Sequence, residues 1–250
     1  MEHTEDAKIQ ERIRSISQWY HRIEVRPGTV TPGINDCATT LQLLNPPPDC
    51  RGLRVLDIGT RDGFFAFQFE ARGAEVVAVD YVPKDQTGFG VAAELLQSRV
   101  AYVQDNIYSL STERYGTFDI VLLLGLIYHL PDPLLALSIA RRLCRERLYL
   151  ETQVTDHAFR MPDGRFVPLE EVAKELVGIP LMQFYPSGSL NNDPTNYWAP
   201  NVICMEMMLI ESNFMVLNKG TFGQRAFFEC RTSGDEERTY QSQIARGLVP

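Results

Sequence analysis

Four residues carry the most legible chemistry in this chain: Asp57, Gly59 and Gly63 in the stretch LDIGTRDGFF, and Asp80 at the end of EVVAVD. Glycine lets the backbone turn sharply and lets a ligand come close, because it has no side chain in the way. Backbone N–H groups at the head of a following helix can face an anionic or polar group. A carboxylate about twenty residues beyond such a turn can accept both hydroxyls of a ribose. Together these residues specify a nucleotide-like cofactor.

The form of the turn narrows the cofactor. A dinucleotide site wants three glycines as G-x-G-x-x-G around a pyrophosphate, whereas here an acid precedes the first of two glycines as Asp57-x-Gly59-x-x-x-Gly63. That acid would repel a pyrophosphate and suits a ligand bearing a cationic amino group. S-adenosylmethionine (SAM) joins an ammonium, a carboxylate, a ribose and an adenine in one molecule. At these residues the chain resembles the class I SAM-dependent methyltransferases, with VLDIGTRDGFF in the place of their first motif and Asp80 as the ribose-binding acid. The resemblance implies SAM as cofactor and S-adenosylhomocysteine (SAH) as product. The cofactor set it implies is Asp57, Gly59, Thr60, Asp62, Gly63, Asp80 and Tyr81, with Asp105 and Asn106 after the third strand and Leu124 at the end of the fourth. Asp105 stands where the family holds the adenine amino group, and it reads equally as a turn residue capping the next helix.

The elements that must position these residues follow from apolar patterning. Leu53, Val55, Leu56 and Ile58 read as a strand buried on both faces, followed by a helix from Phe64 and a second strand from Glu75 to Val79. A loop from Val82 to Phe89 leads to a helix over 90–98 and a third strand, Val100 to Val103. Phe118 to Leu124 is the central fourth strand, a helix runs from Asp132-Pro133 to about Leu143, and Arg147 to Glu151 is the fifth. Residues 153–200 do not read as sheet but as an insertion rich in breakers, with a short helix at 168–176. Asn201 caps a helix to about Asn213, and strands Phe214 to Leu217 and Arg225 to Cys230, joined through Gly220 and Gly223, fit an antiparallel pair. Ahead of the core, Ile9, Ile13 and Ile16 mark an amphipathic helix over 5–18. The breaker pairs Pro27-Gly28 and Pro32-Gly33 and a short helix at 36–44 follow. The expected fold is α/β: a Rossmann-like class I methyltransferase fold with a mostly parallel seven-stranded sheet, an antiparallel C-terminal strand pair and a lid or insertion. Its parts are an N-terminal helical lid (1–45), a SAM-binding core (46–152), an insertion lining the substrate site (153–200) and a C-terminal helix and strand pair completing the core (201–246). The terminal Gly-Leu-Val-Pro (247–250) reads as a protease-site linker remnant, with a natural terminus as the alternative.

Methyl transfer needs a nucleophile aligned behind the methyl and one proton managed. Alignment supplies about 7–11 kcal/mol and a positioned base about 10²–10⁴-fold in rate. His129 is the base candidate, because it follows the fourth strand, where an open α/β sheet gathers its ligands. A structural histidine hydrogen-bonded between loop and helix is the competing reading. Tyr128 and His21 complete the candidate catalytic set. The stretch GLIYHLPDP and the Trp19 to Gly33 segment resemble the branch that contains the tRNA wobble-uridine carboxymethyl-transferases, which use carboxy-SAM. That resemblance implies a cation near the sulfonium, for which Arg22 and Arg26 are candidates. Trp19 and Tyr20 on the lid and Asn196, Tyr197 and Trp198 in the insertion are the expected substrate contacts, the latter three suiting a hydroxylated or sugar-like acceptor; the competing readings are plain packing of the helix end for Trp19 and Tyr20 and a core-wedged ring for Trp198. Glu151, Asp156 and His157 lack a metal-binding signature, and no metal is expected.

Composition bounds the partners. A net charge of −8 and a pI near 5.1 oppose a broad grip on nucleic acid or an anionic membrane. The five scattered cysteines form no C-x-x-C pair, which predicts reduced thiols in a cytoplasmic setting. No secretory leader is read at the polar N-terminus, and no apolar run is long enough to span a bilayer. The predicted function is SAM-dependent methylation of a small molecule, with oxygen the favoured acceptor atom of a natural-product or sugar-like compound, in biosynthesis. The alternatives are a methyl or carboxymethyl transferase acting on tRNA and a non-catalytic SAM-binding protein. Homo-oligomer formation is left open.

Overall fold

A computed structural model describes residues 2–234. The segment 247–250, read above as a linker remnant, lies outside the described residues, as does the end of the 201–246 segment. The chain forms two compact units, 1–109 and 110–250.

The first unit is built on three parallel strands, β1 (Arg54–Ile58), β2 (Glu75–Asp80) and β3 (Ala101–Gln104), in a register that sets Asp57 beside Ala78 and Asp80 beside Gln104. Before them come helices α1 (Glu2–Arg14) and α2 (Ala38–Leu44), and between them α3 (Phe64–Glu70) and α4 (Phe89–Leu96). Isolated helices as short as α3, seven residues, are not stable in water. It is held by packing: Phe64, Phe65, Phe67 and Phe69 are all buried, each worth about 1.5–3 kcal/mol of burial. Helix α1 stops at Arg14, four residues before the expected end. The chain then folds back so that the Trp19 indole donates to the Ile13 carbonyl at 2.9 Å, satisfying one of the carbonyls a helix end leaves open.

The second unit holds β4 (Phe118–Leu124), α5 (Pro133–Leu143), β5 (Cys144–Gln153), α6 (Val202–Glu211), β6 (Phe214–Phe222) and β7 (Arg225–Thr232). Every residue of β4 is buried, and Arg145 neutralises its Asp119 at 2.6 Å. Strand β5 starts directly at the end of α5, three residues earlier than its apolar pattern indicates. Its charged opening is paired across the sheet, Arg145 with Asp119 and Arg147 with Glu229 at 2.6 Å, so charge hides a strand that pairing sustains. Strand β6 also runs longer than expected. It is an edge strand with a bulge between Val216 and Asn218, so polar Asn218, Lys219 and Thr221 sit on an exposed margin. Only Gly223 and Gln224 separate it from β7. Asn201 caps α6 as expected, its side chain accepting from the Cys204 amide at 2.9 Å. The insertion carries two small antiparallel ribbons that the sequence does not reveal, 159–160 with 166–167 and 182–184 with 198–200, both separate from the central sheet.

The seven strands stand in the order β6-β7-β5-β4-β1-β2-β3, parallel except for β7, which runs antiparallel to both β5 and β6. This is the expected α/β architecture.

Gly63 is the position on which the turn into α3 depends: φ is +92°, and an added Cβ would meet the Phe67 ring at 2.6 Å and the Phe89 ring at 2.7 Å. Gly63→Ala is therefore expected to destabilise the protein by about 1–3 kcal/mol through strain and overpacking. Urea denaturation of the full chain measures it; an unchanged midpoint would contradict the packing described.

Candidate functional site

In the first unit the glycine turn closes on the tip of β2. Gly59 (φ +79°) and Thr60 both donate to the Val79 carbonyl, at 2.8 and 3.2 Å. Arg61, a non-glycine residue at φ +52°, donates its amide to Asp80 Oδ2 at 2.9 Å, and Val82 donates to Asp80 Oδ1 at 3.0 Å. Asp80 is thus buried at the turn with each oxygen fixed by one backbone amide. An ionised carboxylate has about four acceptor positions, so both oxygens retain capacity for a diol. Asp57 lies 2% exposed beneath the turn and accepts the Thr60 hydroxyl at 2.7 Å. Burial pushes its pKa up to about 7, and the Asp80 charge adds to that push; the Thr60 hydroxyl and the Ala66 amide pull the other way.

Asp62, a cofactor candidate, is surrounded by backbone donors. Its Oδ2 accepts the amides of Tyr20 and His21 at 2.6 and 2.8 Å, and its Oδ1 accepts the Gly88 amide at 2.8 Å. It fastens the N-terminal segment and the start of α4 to the turn. Trp19, expected to touch substrate, is buried as packing: an added Cβ on Gly88 would lie 2.2 Å from its ring. Tyr20 is half-buried. His21 is 5% exposed, with Nδ1 buried and unpartnered, and its ring lies 6.3 Å from those of Phe64 and Phe65. Burial lowers its pKa to about 4 against the pull of Asp62, with Arg61 lowering it further. It is a neutral imidazole at the glycine turn. Of the two cation candidates, Arg26 is paired with Asp6, while Arg22 lies 3.9 Å from Asp36 with both side chains exposed.

Tyr81 is 69% exposed beside Asp80. Asp105 donates its amide to the Asp80 carbonyl at 3.0 Å and accepts the Asn106 amide at 2.8 Å, while Asn106 Oδ1 accepts from the Tyr108 amide at 3.0 Å. Both thus shape the turn after β3, and it is the Asn106 side chain that accepts from the first turn of the 3-10 helix at 107–109.

In the second unit Leu124 ends β4, buried, and Gly125 (φ +72°) leads into the Tyr128-His129 turn. The two rings lie 4.2 Å apart. Arg225 on β7 grips Glu151 on β5 through Nε and, at 2.8 Å, Nη2. The same Nη2 donates to Tyr128 Oη at 3.2 Å, with the guanidinium 5.1 Å from the Tyr128 ring centre. His129 Nδ1 lies 2.9 Å from Thr195 Oγ1, which in turn lies 2.6 Å from Asp193 Oδ1. Burial lowers the His129 pKa below its ordinary value; Asp193 and a hydrogen bond to the Thr195 backbone oppose this, and Arg225 adds to it. Sequence reasoning missed Arg225, Thr195 and Asp193. Arg225 meets Tyr128 and Thr195 meets His129 across long stretches of chain, while Asp193 meets its neighbour Thr195, and only the irregular composition of 185–198 marks that segment.

The expected substrate residues fall out unevenly. Tyr197 donates its amide to the Tyr128 carbonyl at 2.9 Å, which ties the insertion to the Tyr128-His129 turn. Asn196 is buried, its amide nitrogen donating to the Leu190 carbonyl at 3.0 Å. Trp198 stacks at a tilt on Phe184, 4.9 Å between centroids. Asn196 Oδ1, Trp198 Nε1 and Tyr185 Oη are buried without a partner. Glu151 is taken by Arg225 and Asp156 accepts the Val202 amide at 2.8 Å. Among the described residues no group of three or more His, Cys, Asp or Glu is gathered for a metal ion, and no helix is long and apolar enough to cross a membrane.

Comparison with known proteins gives a consistent picture. A family profile described as "Methyltransferase domain" matches residues 26–194, more than half of the chain. A tRNA U34 carboxymethyltransferase of Dichelobacter nodosus (strain VCS1703A) is 33% identical over 138 residues, 52% of this chain and 43% of that protein. A ubiquinone biosynthesis O-methyltransferase of Xanthomonas oryzae pv. oryzae (strain PXO99A) is 29% identical over 106 residues, 42% of this chain and 44% of that protein. The chain thus spans less than half the length of these curated relatives. Among solved structures, the N-terminal domain of EvdMO1 in the presence of SAH and D-fucose superposes with a TM-score of 0.59 at 15% identity, covering 91% of this chain and 96% of that one. The magnesium protoporphyrin IX methyltransferase ChlM of Synechocystis PCC 6803 with bound SAM gives 0.53 at 16% identity, covering 78% and 77%. At such identities the likeness is one of fold.

Asp62→Ala would leave three backbone amides without their acceptor, each unmet group costing about 1–3 kcal/mol if it stays buried. Amide hydrogen exchange at Tyr20, His21 and Gly88 is expected to accelerate together in this variant; unchanged protection would contradict the fastening role.

Proposed function

The chain belongs to the methyltransferase-domain family, and from that premise we propose that it is a SAM-dependent enzyme that methylates an oxygen of a small, hydroxylated acceptor. The observation that carries the reading is the pair of buried carboxylates at one glycine turn. Asp80 keeps acceptor capacity on both oxygens, which suits the two ribose hydroxyls, and Asp57 beneath the turn suits a ligand with a cationic group and repels a pyrophosphate. Tyr81, exposed beside Asp80, offers an aromatic face to a base.

When bound, SAM supplies an electrophilic methyl group, so the protein's part is to bind, align and take up a proton. In this reading residues of the first unit hold the cofactor, with His21 as a neutral polar contact at the turn. Tyr128 and His129 in the second unit serve the acceptor: Arg225 donates to Tyr128 Oη and orients that hydroxyl, and His129, neutral near physiological pH, receives the proton of the acceptor hydroxyl. The buried, unpartnered Tyr185 Oη, Asn196 Oδ1 and Trp198 Nε1 support a polar acceptor, since groups of this kind require a partner. Five free thiols among the described residues support a reducing, cytoplasmic setting.

A second reading, transfer to a tRNA wobble uridine, is favoured by the likeness to the Dichelobacter protein. The charge of −8 weighs against RNA, and the pairing of Arg26 with Asp6 weighs against its serving carboxy-SAM. Mass spectrometry of metabolite pools and of bulk tRNA, each incubated with labelled SAM, decides between them. Label in a small molecule supports the first reading, label in tRNA the second, and label in neither with SAM still bound a non-catalytic role.

Two outcomes test the cofactor half directly. Asp80→Ala removes two hydrogen bonds to a charged acceptor, about 1.5–3 kcal/mol each, so calorimetry should record a loss of SAM affinity of about 10²-fold or more; unchanged affinity counts against the site. With Asp57 titrating at about 7, a cationic ligand favours its ionised form, so below that pH binding must expel the proton. SAM affinity is then expected to rise with pH up to about 7 and level off above it. In Asp57→Asn this dependence should vanish, and a flat profile in the unmodified protein would exclude the coupling.

A further inference from the structure

The segment that carries Asp193 and Thr195 bears directly on which nitrogen of His129 is basic. We infer that Thr195 and Asp193 are positioning residues that hold His129 in its Nδ1–H tautomer and so present Nε2 as the basic atom of the ring. The inference rests on the reading of His129 as the general base, and adds to it which atom acts and what selects it.

The argument is one of counting protons along a short chain of contacts. Thr195 Oγ1 lies 2.6 Å from Asp193 Oδ1, and the same oxygen accepts the Thr195 backbone amide at 2.8 Å. Burial alone would raise the Asp193 pKa, but the hydrogen bonds from Thr195 and the nearby His129 hold it below the ordinary carboxylate range, so it is ionised near neutral pH and can only accept. The single hydroxyl proton of Thr195 must then point at Asp193. What remains on Oγ1 toward His129 Nδ1, 2.9 Å away, is a lone pair, so Nδ1 must be the ring's donor. A neutral imidazole carries one N–H, which leaves the Nε2 lone pair as its base. The opposite arrangement, Thr195 donating to Nδ1, would set two oxygens at 2.6 Å with no hydrogen between them.

The surrounding segments hold this chain in place. Asp193 is tied to the Leu190 carbonyl at 3.1 Å, the Asn196 amide donates to the Asp193 carbonyl at 3.3 Å, and the Tyr197 amide reaches the Tyr128 carbonyl at 2.9 Å. The charged groups around the ring are Asp193 on one side and Arg225, paired with Glu151 and set over Tyr128, on the other. In the proton step, the acceptor O–H proton moves to Nε2 while its bonding pair stays on oxygen. The cation then formed on the ring is faced through Thr195 by the Asp193 carboxylate. This is the logic by which a hydrogen-bonded carboxylate sets a histidine's tautomer and steadies its charged form.

The test is the ring ¹⁵N spectrum of histidine-labelled, full-length protein near neutral pH, with the His129 signals identified by their loss in His129→Gln. The expected result is a protonated Nδ1 and a bare Nε2. In Thr195→Val the signals should move toward the Nε2–H form, and in Thr195→Ser, which keeps the hydroxyl, they should return to the wild-type pattern. A wild-type ring protonated at Nε2, a Val variant with an unchanged tautomer, or a Ser variant that fails to restore it would each overturn the inference. The wild-type spectrum decides the tautomer even if the Val variant does not fold. Undiminished turnover in His129→Gln would instead defeat the base reading and leave the tautomer assignment standing.

Discussion

The structure depends on how a backbone turn with no side-chain bulk is closed against the tip of a neighbouring strand. Gly59, Thr60 and Arg61 spend their amides on Val79 and Asp80, so the turn cannot move without breaking its contacts with β2. The result is a fixed loop of backbone beside a carboxylate whose orientation is already set before any ligand arrives. Preorganisation of this sort is where a binding site gains affinity, because ordering has been completed during folding. It also explains why Arg61 tolerates a left-handed conformation: its amide, not its side chain, is the functional part, and the hydrogen bond to Asp80 offsets the strain.

Three acids cluster around this turn, and the physical chemistry separates their parts. Asp80 retains acceptor capacity at the turn's mouth. Asp57 is buried deeply enough that its charge is costly, which keeps it near its titration point. Asp62 is as buried as either, at 0% exposure, but three amide donors surround it. A buried carboxylate is tolerable only when so satisfied, and that satisfaction turns Asp62 into the link between the N-terminal segment, α4 and the turn. The second unit repeats the theme with different residues. Arg225 forms a bidentate pair with the buried Glu151 and donates from Nη2 to Tyr128 as well, and Asp193 reaches His129 through Thr195.

Much of this is readable in the chain itself. The glycine turn, Asp80, the fully apolar β4 and the capping Asn201 are local signals, carried by spacing within a few residues. What escapes is what depends on partners far away in sequence. Nothing near Trp19 says that it will lie on Gly88, and nothing in TRDG says that the second acid will collect amides from residues 20, 21 and 88. The charged start of β5 reads as loop until Asp119 and Glu229 are seen to neutralise it. Arg225 reads as an ordinary strand-opening cation until β7 pairs with β5 and brings it to Glu151 and Tyr128. In the insertion the short helix at 168–176 was legible, and helical turns stand at Leu169–Val172 and Lys174–Leu176, but the ribbons were not, since two or three residues leave no periodicity to detect.

The central claim is that the paired carboxylates at the turn of the first unit cradle the amino-acid nucleoside that SAM and SAH share. A crystal structure of the protein grown with SAH tests it most directly. The predicted result is the nucleoside at the glycine turn with both ribose hydroxyls on the Asp80 carboxylate. An empty turn in the presence of saturating SAH, or a nucleoside bound elsewhere on the chain, would contradict it.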